Sequence, residues 1–535
     1  MAHGISLDKL SRDVLAAIME IVYASSPHSI TAILSCNSTL YEVARPFMIR
    51  DCTLRLDLEQ LPKTHRRIAA WLEDPSLSWV LSAMRSVTLR ADAPVSVGPK
   101  RNFTKEELLK ETAWDPFIAL LSKLTNLVDV TFDCPVPIPP RLLRELDQYH
   151  PDVHLHILNW ARLAPSTLAD DPSEVALAES PLLRTMHANV LLDMRGHDFQ
   201  LVAFERILAR SPNLHSFRYK SRIPGGCCVW ALDEEQMQER DRLCELFRAE
   251  PIRKPLKHVE INNMPPSMVA RLAHIIDWSS VETLRGLLIG DELETLPWDA
   301  SLFTSLEFLE LRLDRVNRGS DLEQRQRTLH SLTDFLIVLP HIESFSIANL
   351  HEYQLLDTLL QHRGPQLRTL HVHEVELPSE TYFIARRTFT SKEIVAIRTA
   401  CPHLDDFALD LQGWPENEPD ILHALAQFPA MRRLTLNVPL LHLPLDDIED
   451  QDASETYEQA KIAWQAVAGE KMGRSLEELV VCFGEQAREI GRGRPASWVI
   501  EERRLRRCLT LRPHERDDRP GGKFVINHKQ VVRPT

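Results

Sequence analysis

Two stretches of the chain pair imidazoles at the spacing of a single strand face. His154-Leu155-His156 and His371-Val372-His373 each set two histidines two residues apart, so in extended backbone both rings stand on one side, the beginning of a metal site if a third ligand joins them. No carboxylate or cysteine is demonstrably convergent with either pair, so both are expected on the polar face of strands, with no metal bound. Cys227-Cys228 follows Pro224-Gly225-Gly226 and reads as loop. GxSxG, HExxH, GxxxxGK[ST] and GxGxxG are all absent, and Gly521-Gly522-Lys523 lacks the upstream glycine of a phosphate loop. Neither an enzyme nor a cofactor is expected.

Composition narrows the classes further. At 535 residues the chain exceeds one ordinary domain, so several domains or a repeat array are expected. Only 17 residues are glycine, which disfavours folds built on glycine-rich phosphate loops, and a net charge of −14 offers no basic excess for nucleic acid. The residues from Glu485 onward differ, carrying six more Lys and Arg than Asp and Glu. Nine cysteines, odd in number and never spaced CxxC, suggest reduced intracellular thiols rather than a disulfide framework or zinc ribbon. The first residues lack the pattern of a secretory signal, and apolar runs such as Phe335 to Leu339 are far too short to span a bilayer. The expectation is a soluble protein of the cytoplasm or nucleus, with no membrane partner.

Past residue 50 one pattern recurs: an apolar residue, two variable ones, an apolar, one variable, an apolar. It reads Leu127-x-x-Val130-x-Phe132, Leu183-x-x-Met186-x-Ala188, Leu214-x-x-Phe217-x-Tyr219, Leu256-x-x-Val259-x-Ile261 and Leu306-x-x-Leu309-x-Leu311. It continues as Ile342-x-x-Phe345-x-Ile347, Leu367-x-x-Leu370-x-Val372, Leu404-x-x-Phe407-x-Leu409, Met431-x-x-Leu434-x-Leu436 and Leu476-x-x-Leu479-x-Val481. The alternating end of each copy predicts a strand with one buried face. Helical stretches closed by proline or glycine precede most copies, such as Leu355 to Leu360 before Gly364-Pro365. Val153, Leu155 and Ile157 predict a cryptic strand, and Leu54, Leu56 and Leu58 a first one. Residues 91–105 and the acidic run Asp446 to Asp452 read as surface loops. The later copies start at 306, 342, 367, 404 and 431, and this spacing resembles an irregular leucine-rich repeat array. Such units stack because none buries its two apolar faces alone, which implies an α/β solenoid over 51–511 with parallel strands concave and helices convex. A basic, flexible tail is expected over 512–535.

Residues 1–50 form a separate helical module. Leu7, Leu10, Val14, Leu15, Ile18, Ile21 and Val22 fall at helical spacing, with Ser11 as N-cap and Asp13 near the positive helix end. A break at Ser25-Ser26-Pro27 leads to a second helix with Ile30, Ile33 and Leu34. A third helix begins near Asn37-Ser38, carries Leu40, Tyr41, Val43, Ala44 and Phe47, and ends around Pro46. The sequence from Leu7 to Pro46 resembles an F-box; Ser11 stands where that family usually has proline, and Asn37 where it usually has a basic residue. The resemblance implies docking to a Skp-type adaptor and, through it, a cullin scaffold, by helices laid in an apolar groove. The residues it implies are Leu7, Leu10, Ser11, Val14, Leu15, Ile18, Ile33, Leu34, Leu40 and Tyr41. The array would then hold a target protein, making the chain the substrate-recognition subunit of a ubiquitin ligase. The alternative is a leucine-rich interaction scaffold whose first helices only cap the array.

The outward strand positions Thr131, His187, Arg218, Glu260, Glu310, Ser346, His371, Ala408, Thr435 and Val480 are mixed in charge and lack the basic, aromatic stripe of a nucleic-acid groove. Arg312, His371, Asp410 and Arg433, from the most regular copies, are expected to meet on neighbouring strands and to contact the target.

Overall fold

The apolar-x-x-apolar-x-apolar copies become short strands, and the stretches between them become the crossovers that parallel strands require. The computed structural model describes residues 10–56, 61–91, 108–160, 162, 171–191, 199–222, 253–264, 272–289, 300–313, 322–339, 341–350, 353–374, 388–438, 451–483, 507–513 and 524–530. Leu7, most of 91–105, Cys227-Cys228, Asp446 to Asp450 and Gly521 to Lys523 lie outside the described residues. The chain divides into two compact units, Met1–Val190 with His197–Arg218 and Leu232–Glu250, and Leu191–Gly196 with Tyr219–Ala231 and Pro251–Thr535. The N-terminal module shares a unit with the first strands.

That module is three helices, α1 (Arg12–Ser25), α2 (Ser29–Leu34) and α3 (Ser38–Ala44). Ser11, in extended backbone, accepts from the Val14 N–H to start α1, and Asn37 Oδ1 accepts from the Leu40 N–H at 2.9 Å to start α3. Pro46 ends α3 by turning the chain into a 3-10 segment, Arg45–Ile49. Leu15, Met19, Ile30, Leu40 and Ala44 form the module's core, with Leu10, Val22, Tyr23, Ile33, Leu34, Val43 and Phe47 packed around it.

The first unit continues through β1 (Asp51–Arg55), α4 (Leu61–Glu73), α5 (Ser78–Ala83), β2 (Ser86–Arg90), α6 (Asp115–Leu121) and β3 (Asp129–Asp133). Then come α7 (Pro140–Tyr149), β4 (His154–Trp160), α8 (Pro172–Glu179), β5 (Leu183–Leu191), α9 (Phe199–Arg210) and β6 (Ser216–Arg222), whose residues from Tyr219 on are counted with the second unit. Proline sits in the first turn of α6, α7 and α8, where its missing N–H costs nothing. Strands β1 to β5 pair in parallel, in chain order. Leu54, Leu89, Phe132 and Ile157 stand opposite one another in the interior, each at most 3% exposed.

The second unit runs β7 (His258–Met264), β8 (Thr283–Ile289), β9 (Phe308–Leu313), α10 (Leu322–Val338), β10 (Ser344–Ala348), α11 (Tyr353–Arg363), β11 (Thr369–His373) and α12 (Ser391–Ala400). It ends with β12 (Asp406–Asp410), α13 (Pro419–Ala426), β13 (Arg433–Val438), α14 (Gln451–Gly469), β14 (Glu478–Phe483), β15 (Arg507–Pro513) and β16 (Phe524–Gln530). Strands β7 to β14 are parallel neighbours in chain order, whereas β14, β15 and β16 are antiparallel. Leu309, Phe345, Leu370, Phe407, Leu434 and Leu479 form one buried ladder, a residue per strand. Each unit is therefore α/β with a mostly parallel sheet, an arrangement compatible with a solenoid.

Three further expectations are corrected. The segment 512–535 is not wholly a flexible tail: Arg512 and Pro513 belong to β15, and 524–530 form β16, whose β-prone Phe524-Val525-Ile526 opens a strand that satisfies the outer edge of β15. Gln451 and Asp452, at the end of the acidic run, open α14. The cysteines are not all reduced thiols, because Cys482 and Cys508 are joined in a disulfide; register brings them together, and register is invisible in their spacing.

Candidate interaction surfaces

The ten residues expected to dock an adaptor separate into an inner and an outer set. Leu15 (0% exposed) and Leu40 (7%) lie in the module's own core, and Leu10, Ile33 and Leu34 pack against it, so Leu15 and Leu40 are scaffold rather than contact residues. Ser11 is spent as the α1 cap. Val14 and Tyr41 are exposed, at 46% and 43%. Along α1 the apolar residues form two stripes: Leu15, Met19 and Val22 face the core, whereas Val14, Ile18 and Ile21, at steps of four and three, share the outer face. Ile21 is 69% exposed. Sequence reading merged the two stripes, since apolar residues one position apart differ by only about 100° around a helix. Met48, 49% exposed beside Thr31 of α2, was also missed as a surface residue.

The module is fastened to the strands that follow it. Glu20 accepts from Arg50 and lies 3.3 Å from Arg85. Tyr23 donates to Asp51 at the head of β1, and burial together with that bond pushes its phenol up to about 12. The Arg45 guanidinium lies 3.6 Å above the Trp79 ring of α5, a cation–π contact.

Each sheet has a polar face built in rows. In the first unit Thr53, Thr88, Thr131 and His156 are register partners, with Thr185 next in line. Asp129 of β3 gathers both nearby histidines: its Oδ1 lies 3.4 Å from His154 Nδ1 and 3.2 Å from His156 Nε2. The second nitrogen of His156 lies 3.0 Å from Thr185 Oγ1.

In the second unit Glu310, Ser346, His371, Ala408, Thr435 and Val480 form one continuous row, as the outward positions predict. The four residues expected at the target site do not share a row. His371 Nε2 lies 3.1 Å from Asp406 Oδ1, and Arg433 Nε lies 3.2 Å from Asp406 Oδ2, so Asp406 joins these two. Asp410 is only 4% exposed; it contacts His373 Nδ1 at 2.7 Å and accepts from the Glu374 N–H. Burial and these two partners remove it as a free contact residue. Arg312 occupies the row of Ala348 and His373. Asp406 and His373 were absent from the expected set, because the spacing within β11 and β12 does not show which row of one meets which row of the other.

Charges around β12 to β15 largely answer one another. Arg433 meets Asp406, Arg432 holds Asp405 and lies 3.3 Å from Glu477, and Arg512 Nε donates to Glu478 at 2.8 Å. Burial raises the Glu310 carboxyl above its usual range, with Arg285 opposing.

No protein-family model matches the chain, and no curated protein matches it. Among the described residues no group of three or more histidines, cysteines and carboxylates is arranged to hold a metal ion. Among the same residues no helix is long and apolar enough to cross a membrane.

Proposed function

We propose that the chain is the substrate-recognition subunit of a cullin-based ubiquitin ligase, with α1 to α3 acting as an F-box that binds a Skp-type adaptor and an irregular leucine-rich repeat solenoid holding a target protein. The carrying observation is the outer stripe Val14, Ile18 and Ile21, apolar surface left over after the three helices have built their own core. An apolar groove on the adaptor is the natural cover for such a stripe. The repeat reading is supported by side chains that satisfy strand-end carbonyls. Cys134 Sγ reaches Leu89 O at 3.4 Å, and Asn349 Nδ2 donates to Leu313 O at 2.9 Å. In the regular repeat an Asn or Cys follows the strand at the third position after its last apolar residue; here both sit at the second.

Target docking is assigned to the polar face of β9 to β13, where Arg312, His371 and Arg433 offer charged and hydrogen-bonding groups on a rigid support. The chain itself contributes no catalysis; it raises the effective concentration of target near the ubiquitin-carrying enzyme.

A second reading, an interaction scaffold without ligase role, is favoured by the fastening of α1 to the first strands through Glu20 and Tyr23, which is what a capping unit needs. Co-expression with a Skp-type adaptor separates the two. The ligase reading expects a one-to-one complex, lost in Val14→Asp/Ile21→Asp without a change in melting temperature, whereas Leu15→Asp unfolds the module. Failure of the unmodified chain to bind any Skp-type adaptor leaves the scaffold.

A further inference from the structure

The last parallel strand is followed by two antiparallel ones, and a pair of cysteines sits at that junction. Cys482 of β14 and Cys508 of β15 are register partners with Cα atoms 4.2 Å apart, and their sulfurs are joined. This separation is that of a non-hydrogen-bonded antiparallel pair, where opposed side chains approach most closely. Cys482 is 2% exposed, whereas Cys508 is half-buried, so an attacking thiolate reaches the Cys508 sulfur first.

Besides the disulfide, β15 is held by its pairing with β14, by the buried side chains of Leu509 and Leu511, by packing against α14, and by the ion pair of Arg512 with Glu478. The chain is also not built as a disulfide framework, because Cys36, Cys52, Cys134 and Cys401 are free thiols. Burial pushes the Cys401 thiol up to about 12 and raises that of Cys134, which keeps both out of exchange chemistry.

We propose that Cys482 and Cys508 form a thiol–disulfide clip that fastens the C-terminal hairpin β15–β16 to β14 when oxidised and frees it to open when reduced. Closure is a two-electron exchange. The Cys508 thiolate attacks oxidised glutathione, one glutathione thiol leaves, and the Cys482 thiolate then displaces the second. The two cysteines lose two protons and two electrons, one S–S bond forms, and the S–S bond of glutathione is reduced to two thiols. A dithiol such as dithiothreitol reverses it. The bond closes a loop 26 residues long, which reduces the conformations of the opened hairpin by about 400-fold on chain-entropy grounds. This clip stands independently of the ligase reading.

The test uses the full chain equilibrated with oxidised glutathione or with dithiothreitol, followed by alkylation, peptide mapping and amide hydrogen exchange. The oxidised sample should yield a peptide linked through Cys482 and Cys508. Its β15 and β16 amides should exchange about 400-fold more slowly than in dithiothreitol, with β10 to β13 unchanged. Cys508→Ser should exchange like the reduced form in both buffers. Alkylation of both cysteines after oxidised glutathione, equal exchange in the two states, or oxidant protection persisting in Cys508→Ser would each overturn the proposal.

Discussion

Leu370 and His371 are chain neighbours on β11 with opposite fates, and replacing each by alanine tests the sheet's facing directly. Leu370 is 0% exposed and stands between Phe345 and Phe407 in the buried ladder. Leu370→Ala removes three carbons, worth about 2.4 kcal/mol at ~0.8 per buried carbon. The cavity between two aromatic neighbours adds about 1 kcal/mol. A loss of about 3.5 kcal/mol lowers the melting temperature of a unit this size by roughly 5 °C. His371 is 36% exposed, and its loss leaves Asp406 still facing Arg433, so His371→Ala should cost under about 1 kcal/mol. Calorimetry of the two variants at neutral pH decides it. Equal losses, or a larger loss for His371→Ala, would refute the assignment of inward and outward faces.

The remaining predictions concern caps and protons. Ser11→Ala and Asn37→Ala should each cost about 1 kcal/mol, read from thermal unfolding of the N-terminal helices, because each removes the side chain that satisfies a first-turn N–H. For Glu310 the folded pKa is raised, so its contribution to stability is fully present below the unfolded value of about 4.3 and is lost as pH rises through the folded value. Glu310→Gln should therefore compare more favourably with the unmodified chain at pH 7 than at pH 4; melting curves showing a pH-independent difference would contradict this. Arg433→Glu sets a third carboxylate beside Asp405 and Asp406; under the proposed ligase role, target capture should fall while adaptor binding holds, measured by pull-down.

The strands were legible wherever alternation was unbroken. The copies at Leu309, Phe345, Leu370, Phe407, Leu434 and Leu479 all become register partners, and the cryptic strand at His154 is present as β4. Strand β2 carries the same signal in Met84-x-x-Val87-x-Leu89. Strand β8 hides for a physical reason. Gly286, at φ 78°, lies where the pairing with β9 shifts between Leu284 and Leu287, so the buried residues skip a step. Both helix caps at Ser11 and Asn37 could be read from residue type alone. The partner of each outward side chain could not: that His371 meets Asp406, that one carboxylate serves His154 and His156, and that Cys482 meets Cys508 all depend on which residues of two strands stand opposite.

The fastening of α1 to the first strands also has a mechanical side. Glu20, Tyr23 and Arg45 grip Arg50, Arg85, Asp51 and Trp79, so the short 3-10 segment between α3 and β1 is spanned on several sides and cannot act as a swivel. Force applied at Ile21 passes through these braces into β1 and β2 rather than being absorbed by bending at the joint. A partner seated on the outer stripe of α1 would therefore also set the heading of the threonine row that starts at Thr53. An inserted residue between Ala44 and Asp51 would have to break those braces before it could change that angle.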